Sequence, residues 1–205
     1  MSFYREKILP HLVDRACGSQ GMVRWRERAV EGLSGTVVEI GFGSGLNVPV
    51  YPPEVETVFA VEPAELARRL AHERIQRSHA EVKHVGLHGE SLPLEDDSCD
   101  GALSTFTLCT IPDVETALGE LRRVLRPGGR FNFLEHGLAP DDRVARWQRR
   151  FEPAQKILAD GCHLTRDPTE LVAAAGFEVQ SSTSRYAQGP RPWVYFTEGV
   201  AVNPD

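Results

Sequence analysis

Residues Thr36 to Asn47 read T-V-V-E-I-G-F-G-S-G-L-N. Thr36 to Ile40 is β-branched apart from Glu39, the pattern of a strand covered on both faces. Gly41, Gly43 and Gly45 follow at alternate positions. Glycine takes positive φ without steric cost and lets backbone N–H groups face a bound molecule directly. A buried strand running into such a turn constrains the chain to an α/β fold with a ligand site at the strand's carboxyl end. Spacing restricts the ligand. The dinucleotide fingerprint G-x-G-x-x-G needs a third glycine where Leu46 stands, so it fails here. A phosphate cradle favours N–H groups with no acid nearby. Glu39, two residues before the loop, needs a partner if it is buried, and it suits a ligand with a positive charge or a free amine.

The 205 residues suffice for one α/β domain with a sizeable core. A net charge of −6 argues against a nucleic-acid binder driven by phosphate contacts. Arg143, Arg146, Arg149 and Arg150 read as the solvated face of a helix. Cys17, Cys99, Cys109 and Cys162 are scattered without a C-x-x-C pair, so spacing carries no zinc or dithiol signature and no metal is expected. Reduced, packed thiols are the expectation. No apolar run approaches the length of a membrane span, and the N-terminus lacks a signal-peptide core. The expected compartment is the cytoplasm. Nothing in the sequence favours a particular oligomeric state.

Strand and helix patterns alternate along the chain. Phe3 to Val30 predicts two helices ahead of the first strand. A short helix after the glycine loop ends at Pro52 and Pro53. Strands are predicted over Glu56–Val61, Val82–Leu87, Ala102–Cys109 and Arg130–Leu134. Two final strands are predicted over Phe177–Ser184 and Arg191–Thr197. Helices fall over Pro63–Gln76, Thr116–Leu125 with Asp113 as N-cap, Asp141–Leu158, and Pro168–Ala175 ended by Gly176. Such alternation gives a mostly parallel sheet with helices on both faces. Its ligand crevice lies beyond the carboxyl ends of the strands. Gly41–Gly45, Glu62, His88–Ser91, Thr107–Thr110 and His136 all fall at such ends. Glu62, about twenty residues beyond Gly41, stands where an acid binds ribose hydroxyls, with Pro63 at the first helical position.

The E-x-G-x-G-x-G loop, with D-G-A-L-S, L-R-R-V-L-R-P-G-G-R and F-N-F-L-E-H in that order, resembles the class I S-adenosylmethionine (SAM)-dependent methyltransferases of the ubiquinone/menaquinone type, over about Val37 to Phe177. E-I-G-F-G-S-G-L-N, T-L-C-T-I, V-L-R-P-G-G, F-L-E-H and D-G-C-H-L-T-R-D together are similar to the methyltransferase-like family that includes thiol S-methyltransferases. The resemblance implies a Rossmann-like core over 35–205, with a seven-stranded sheet whose final strand is antiparallel. Residues 1–34 would form a helical cap within one domain. It implies SAM held by Glu39, Gly41, Phe42, Gly43, Gly45, Asn47, Glu62, Pro63, Gly89, Glu90, Ser91 and Thr107. His88 stands where the family pattern commonly has an acid facing adenine, which shifts adenine recognition towards backbone groups and apolar contact. Membrane-bound members of that family carry an apolar N-terminal anchor, and none is expected here.

A thiol acceptor reacts as thiolate, so a base titrating near neutrality is needed. His136 is the first candidate, and Asp160 and His163 come next. The expected activity is methyl transfer to a small-molecule acceptor, with a thiol among the acceptors implied. The alternatives are a quinol, phenol or other O, C or N acceptor, or a non-catalytic module that binds SAM or a nucleoside and regulates a partner.

Overall fold

The computed structural model describes residues 3–204. Three helices come first: α1 (Phe3–Lys7), α2 (Leu9–Cys17) and α3 (Gln20–Val30). The core then runs β1 (Gly35–Ile40), β2 (Val55–Val61), α4 (Glu65–Gln76), β3 (Glu81–Gly86), β4 (Cys99–Thr105), α5 (Val114–Val124), β5 (Leu125–His136), α6 (Asp142–Leu158), α7 (Pro168–Ala174), β6 (Glu178–Tyr186) and β7 (Tyr195–Val202). The strands form one seven-stranded sheet in the order β3-β2-β1-β4-β5-β7-β6. The pairs from β3 to β5 are parallel. The final strand, β7, is antiparallel to both neighbours. This is the Rossmann-like α/β architecture expected from the sequence. Strand order reverses between β1 and β4, which opens a crevice at their carboxyl ends.

Both faces of the sheet are covered because neighbouring residues of each strand point opposite ways. Val38, Ile40, Phe131 and Phe133 pack with Leu118 and Leu121 of α5 and Val172 of α7. Val37, Val58 and Leu103 pack on the other face with Trp25 and Val30 of α3 and Ala71 of α4. Asn132, buried in β5, donates to the carbonyls of Ala29 (2.8 Å) and Glu31 (3.0 Å). It thereby satisfies the open carbonyls at the end of α3 and fixes that helix against the sheet.

Several boundaries differ from the sequence expectation for identifiable reasons. Phe3 to Val30 holds three helices rather than two, because Pro10 sits in the first turn of α2, where its missing N–H costs nothing. The segment after the glycine loop is a 3-10 turn, Val48–Val50. β4 ends at Thr105 instead of Cys109, since Phe106 takes a φ of 57°. The next three N–H groups, of Thr107, Leu108 and Cys109, then turn onto the buried Glu135 carboxylate at 3.0, 3.0 and 3.3 Å. β5 starts at Leu125 and carries the Arg126–Gly129 reversal as a register shift against β4. Arg191–Trp193 is a 3-10 turn, so β7 begins later than expected. Asp113 caps α5 by accepting from Thr116 N at 3.0 Å. Among the described residues, no helix is long and apolar enough to cross a membrane.

Candidate active site

A cavity of about 400 Å³ opens at the reversal of strand order, within the size range of small-molecule sites. Its floor is the glycine loop. Gly41, Gly43 and Gly45 all take positive φ, at 70°, 58° and 73°. Their roles differ. A Cβ on Gly41 would stand 1.8 Å from Thr107 Oγ1, and one on Gly45 would crowd Ala71 and Phe42 at 3.3 Å. Those two glycines admit protein neighbours. A Cβ on Gly43 would meet nothing nearer than the Gly41 carbonyl at 3.8 Å. Gly43 is the one whose bareness serves the cavity.

Glu62, at the tip of β2, is 8% exposed and lines the same cavity. One carboxylate oxygen accepts from Gly43 N at 2.8 Å and the other from Ala64 N at 2.7 Å. Burial raises its pKa, while the N–H donors of Ala64 and Gly43 oppose the rise. Each oxygen keeps a further lone pair for an external donor.

Glu39 does not reach the cavity wall. It is buried beneath the loop, where it accepts from Asn47 Nδ2 at 2.7 Å and from the Tyr51 hydroxyl. Burial pushes its pKa up to about 7, against the hydrogen bonds of Tyr51 and Asn47 and the charge of Arg26. Arg26, from α3, donates to Asn47 Oδ1 at 2.8 Å and to Thr105 Oγ1 at 3.2 Å, and it lines the cavity. A cation, with the buried acid behind it, therefore faces the cavity. The sequence placed an acid there. Arg26 went unnoticed because Arg24, Arg26 and Arg28 are indistinguishable by pattern.

The opposite wall comes from α2, through Leu9, Pro10, Val13 and Cys17. Asp14 fastens this helix over the site, accepting from Arg74 Nη1 at 2.8 Å and Ser44 Oγ at 2.5 Å. The loop after β3 contributes Leu87, His88, Gly89 and Glu90, and the loop after β4 contributes Phe106, Thr107 and Thr110. Of the residues singled out from the sequence, Gly41, Phe42, Gly43, Glu62, Pro63, Gly89, Glu90, Thr107 and Asp160 line the cavity. Glu39, Gly45 and Asn47 underlie its floor. Ser91 is exposed on the loop beyond it.

The three candidates for acting on an acceptor separate in space. Asp160, at a φ of 48°, is on the cavity wall. His163 pairs through Nδ1 with Glu152 Oε1 at 3.0 Å, and its backbone N–H donates to the Cys109 carbonyl at 2.8 Å. His136 packs its ring between Phe106 and Phe196, with centroids 5.3 and 5.2 Å away. Its Nδ1 lies 3.7 Å from Cys109 Sγ and 3.9 Å from Cys162 Sγ, and the two sulfurs are 3.6 Å apart. The D-G-C-H-L-T-R-D segment makes this juxtaposition. Arg166 donates to the carbonyls of Leu108 and Ile111, which clamps the segment onto the loop after β4.

Comparison with known proteins agrees with this architecture. A family profile described as "Methyltransferase domain" matches residues 38–133. Human (Homo sapiens) thiol S-methyltransferase TMT1B is 35% identical over 159 residues, which cover 75% of this chain and 65% of that protein. Demethylmenaquinone methyltransferase of Thermus thermophilus is 34% identical over 134 residues, covering 60% of this chain and 59% of that protein. The chain thus spans less than two thirds of the length of these relatives. Among solved structures, a geranyl diphosphate methyltransferase in complex with SAM superposes with a TM-score of 0.66 at 14% identity, over 98% of this chain and 91% of that one. Residues 38–133 thus match a methyltransferase domain, and the chain shares the Rossmann-like fold of SAM-dependent methyltransferases.

Proposed function

We propose that the protein binds SAM in the cavity and transfers its methyl group to a small thiol. The observation that carries the reading is the pairing of a bare backbone at Gly43 with the Glu62 carboxylate on one cavity wall. The residues present fit SAM. Glu62 offers two acceptor oxygens to the ribose hydroxyls. Arg26 offers a guanidinium to the carboxylate of the amino-acid end. The backbone of Gly89 and Glu90, with the side chain of Ile111, borders the place for the adenine. Phe42, Pro63 and Thr107 complete the wall. Glu39, Gly45, Asn47 and Ser91 act behind or beside it, by holding the loops in place.

SAM supplies an electrophilic methyl group on a sulfonium. What the chain must add is alignment of the acceptor and exclusion of water. Leu9, Pro10, Val13 and Phe106 give the acceptor end an apolar lining, which suits a small apolar thiol. The identity shared with thiol S-methyltransferases supports that class. Asp160 is the candidate on the wall, and its role is to orient the acceptor and accept its hydrogen bond. On this reading the described residues act as one unit, in which α2 and α3 cover the site.

Turnover of methyl-labelled SAM with a panel of alkyl thiols, phenols and demethylated quinols tests this. Label recovered in the thioether is expected. Label in a quinol alone would reassign the acceptor. SAM binding without transfer to any acceptor would leave a non-catalytic binding module.

A further inference from the structure

We propose that Cys109, His136 and Cys162 form a three-ligand site for a zinc-class ion, with the fourth coordination position left to water. The three residues come from separate elements: the loop after β4, the end of β5, and the loop after α6. Their ligand atoms all lie within 4.8 Å of one another. In tetrahedral zinc sites, Zn–S bonds of about 2.3 Å and Zn–N bonds of about 2.0 Å place sulfurs roughly 3.8 Å apart and sulfur and nitrogen roughly 3.6 Å apart. The protein has 3.6 Å between the sulfurs, and 3.7 and 3.9 Å from sulfur to Nδ1. The three atoms therefore already span one triangular face of such a site.

The surroundings agree. Cys109 and Cys162 are 2% and 3% exposed and pack with Leu164. Thiols are weak hydrogen-bond partners, so two of them turned towards one imidazole nitrogen in an apolar setting leave that nitrogen poorly satisfied. Two thiolates and a neutral imidazole around a divalent ion sum to zero charge, which removes the penalty of burying a charge. Sulfur with imidazole selects zinc-class ions over magnesium or calcium. Three protein ligands with one open position is the pattern of zinc sites that accept an exogenous ligand. The Gln155 side chain lies beside Cys162, where a donor to the sulfur would tune the site. Phe106, whose ring packs on His136, lines the cavity, as do Thr110 and Asp160, close in sequence to Cys109 and Cys162. An ion here would stand directly behind the acceptor end of the cavity. Sequence spacing gave no hint of this, because 53 residues separate the two cysteines. The inference does not depend on which acceptor is methylated.

The test is a cobalt titration of the reduced, chelator-treated full chain, followed by optical absorption. The expected result is one Co²⁺ per chain, with a sulfur-to-cobalt charge-transfer band, the visible bands of a tetrahedral site, and bleaching by Zn²⁺. Cys109→Ser and Cys162→Ser should each remove the charge-transfer band, while Cys99→Ser, a buried thiol elsewhere in the core, should retain it. X-ray absorption of the zinc-loaded wild type needs no variant, and two sulfur scatterers and one imidazole are expected. A reduced wild-type protein that shows no charge-transfer band overturns the proposal. So does a zinc environment of oxygen and nitrogen only, or a band that persists in the Cys109→Ser, Cys162→Ser double variant.

Discussion

Gly43 and Glu39 show how differently two residues of one motif act. At Gly43, a branched side chain would be strained by the positive φ and would project into the cavity. The strain costs on the order of 1–2 kcal/mol. Gly43→Val should therefore fold with slightly lower stability and lose SAM binding by roughly 100-fold or more, as about 3 kcal/mol of steric conflict implies. Normal affinity in the folded variant, read by calorimetry, would contradict the placement. Glu39 instead acts on stability. Its folded pKa of about 7 lies above the ordinary carboxylate value, so the folded state holds the proton more tightly than the unfolded chain. Its contribution favours folding at low pH and is lost as pH rises from the unfolded value through 7, by roughly 3 kcal/mol. Glu39→Gln, which cannot ionise, should flatten that part of the curve. The difference in unfolding free energy between wild type and variant should swing in the variant's favour between about pH 4 and 7.5, a range spanning that shift. A difference that stays constant with pH would show that Glu39 is ionised throughout.

At the scale of elements, α2 is the piece that turns an open crevice into a cavity. It is held by Asp14, which joins it to Arg74 of α4 and to Ser44 of the glycine loop. Asp14→Ala removes both bonds and leaves Arg74 without its carboxylate. SAM affinity should fall about 5- to 30-fold, for about 1–2 kcal/mol, and amide exchange should rise in α2 while the sheet stays protected. Unchanged exchange in α2 would mean that apolar contacts alone hold the helix. The order of strands and helices was legible in the sequence because periodicity and glycine or proline stops are local signals. So was the convergence of the loops around Gly41–Gly45 and Glu62. Arg26, Tyr51 and Glu135 were not, since each owes its place to contacts across the fold. Glu135 illustrates the limit. Its carboxylate gathers three successive N–H groups 26 to 28 residues away and ends β4 early, which no window of sequence contains.

Over the whole molecule, one buried acid, Glu62, lines the cavity and a second, Glu39, lies beneath its floor. Glu39 and Glu62 both have pKa values pushed up by burial. Ribose hydroxyls donating to Glu62 favour its ionised form, and the net positive charge of SAM favours that of Glu39 behind the cavity floor, so binding releases protons. SAM affinity should thus increase as pH rises through neutrality, and calorimetry in buffers of different ionisation enthalpy should register proton release. Proton uptake would reverse the sign and contradict this. The central claim is that Glu62 holds the sugar of the nucleoside. It is tested most directly by a double-mutant cycle in calorimetry, pairing Glu62→Gln with S-adenosylhomocysteine that lacks its 2′-hydroxyl. A hydrogen bond to a charged group is worth about 1.5–3 kcal/mol. Loss of the hydroxyl should therefore weaken binding to the wild type roughly 10- to 100-fold and change binding to Glu62→Gln little. An equal loss in both proteins would contradict the account.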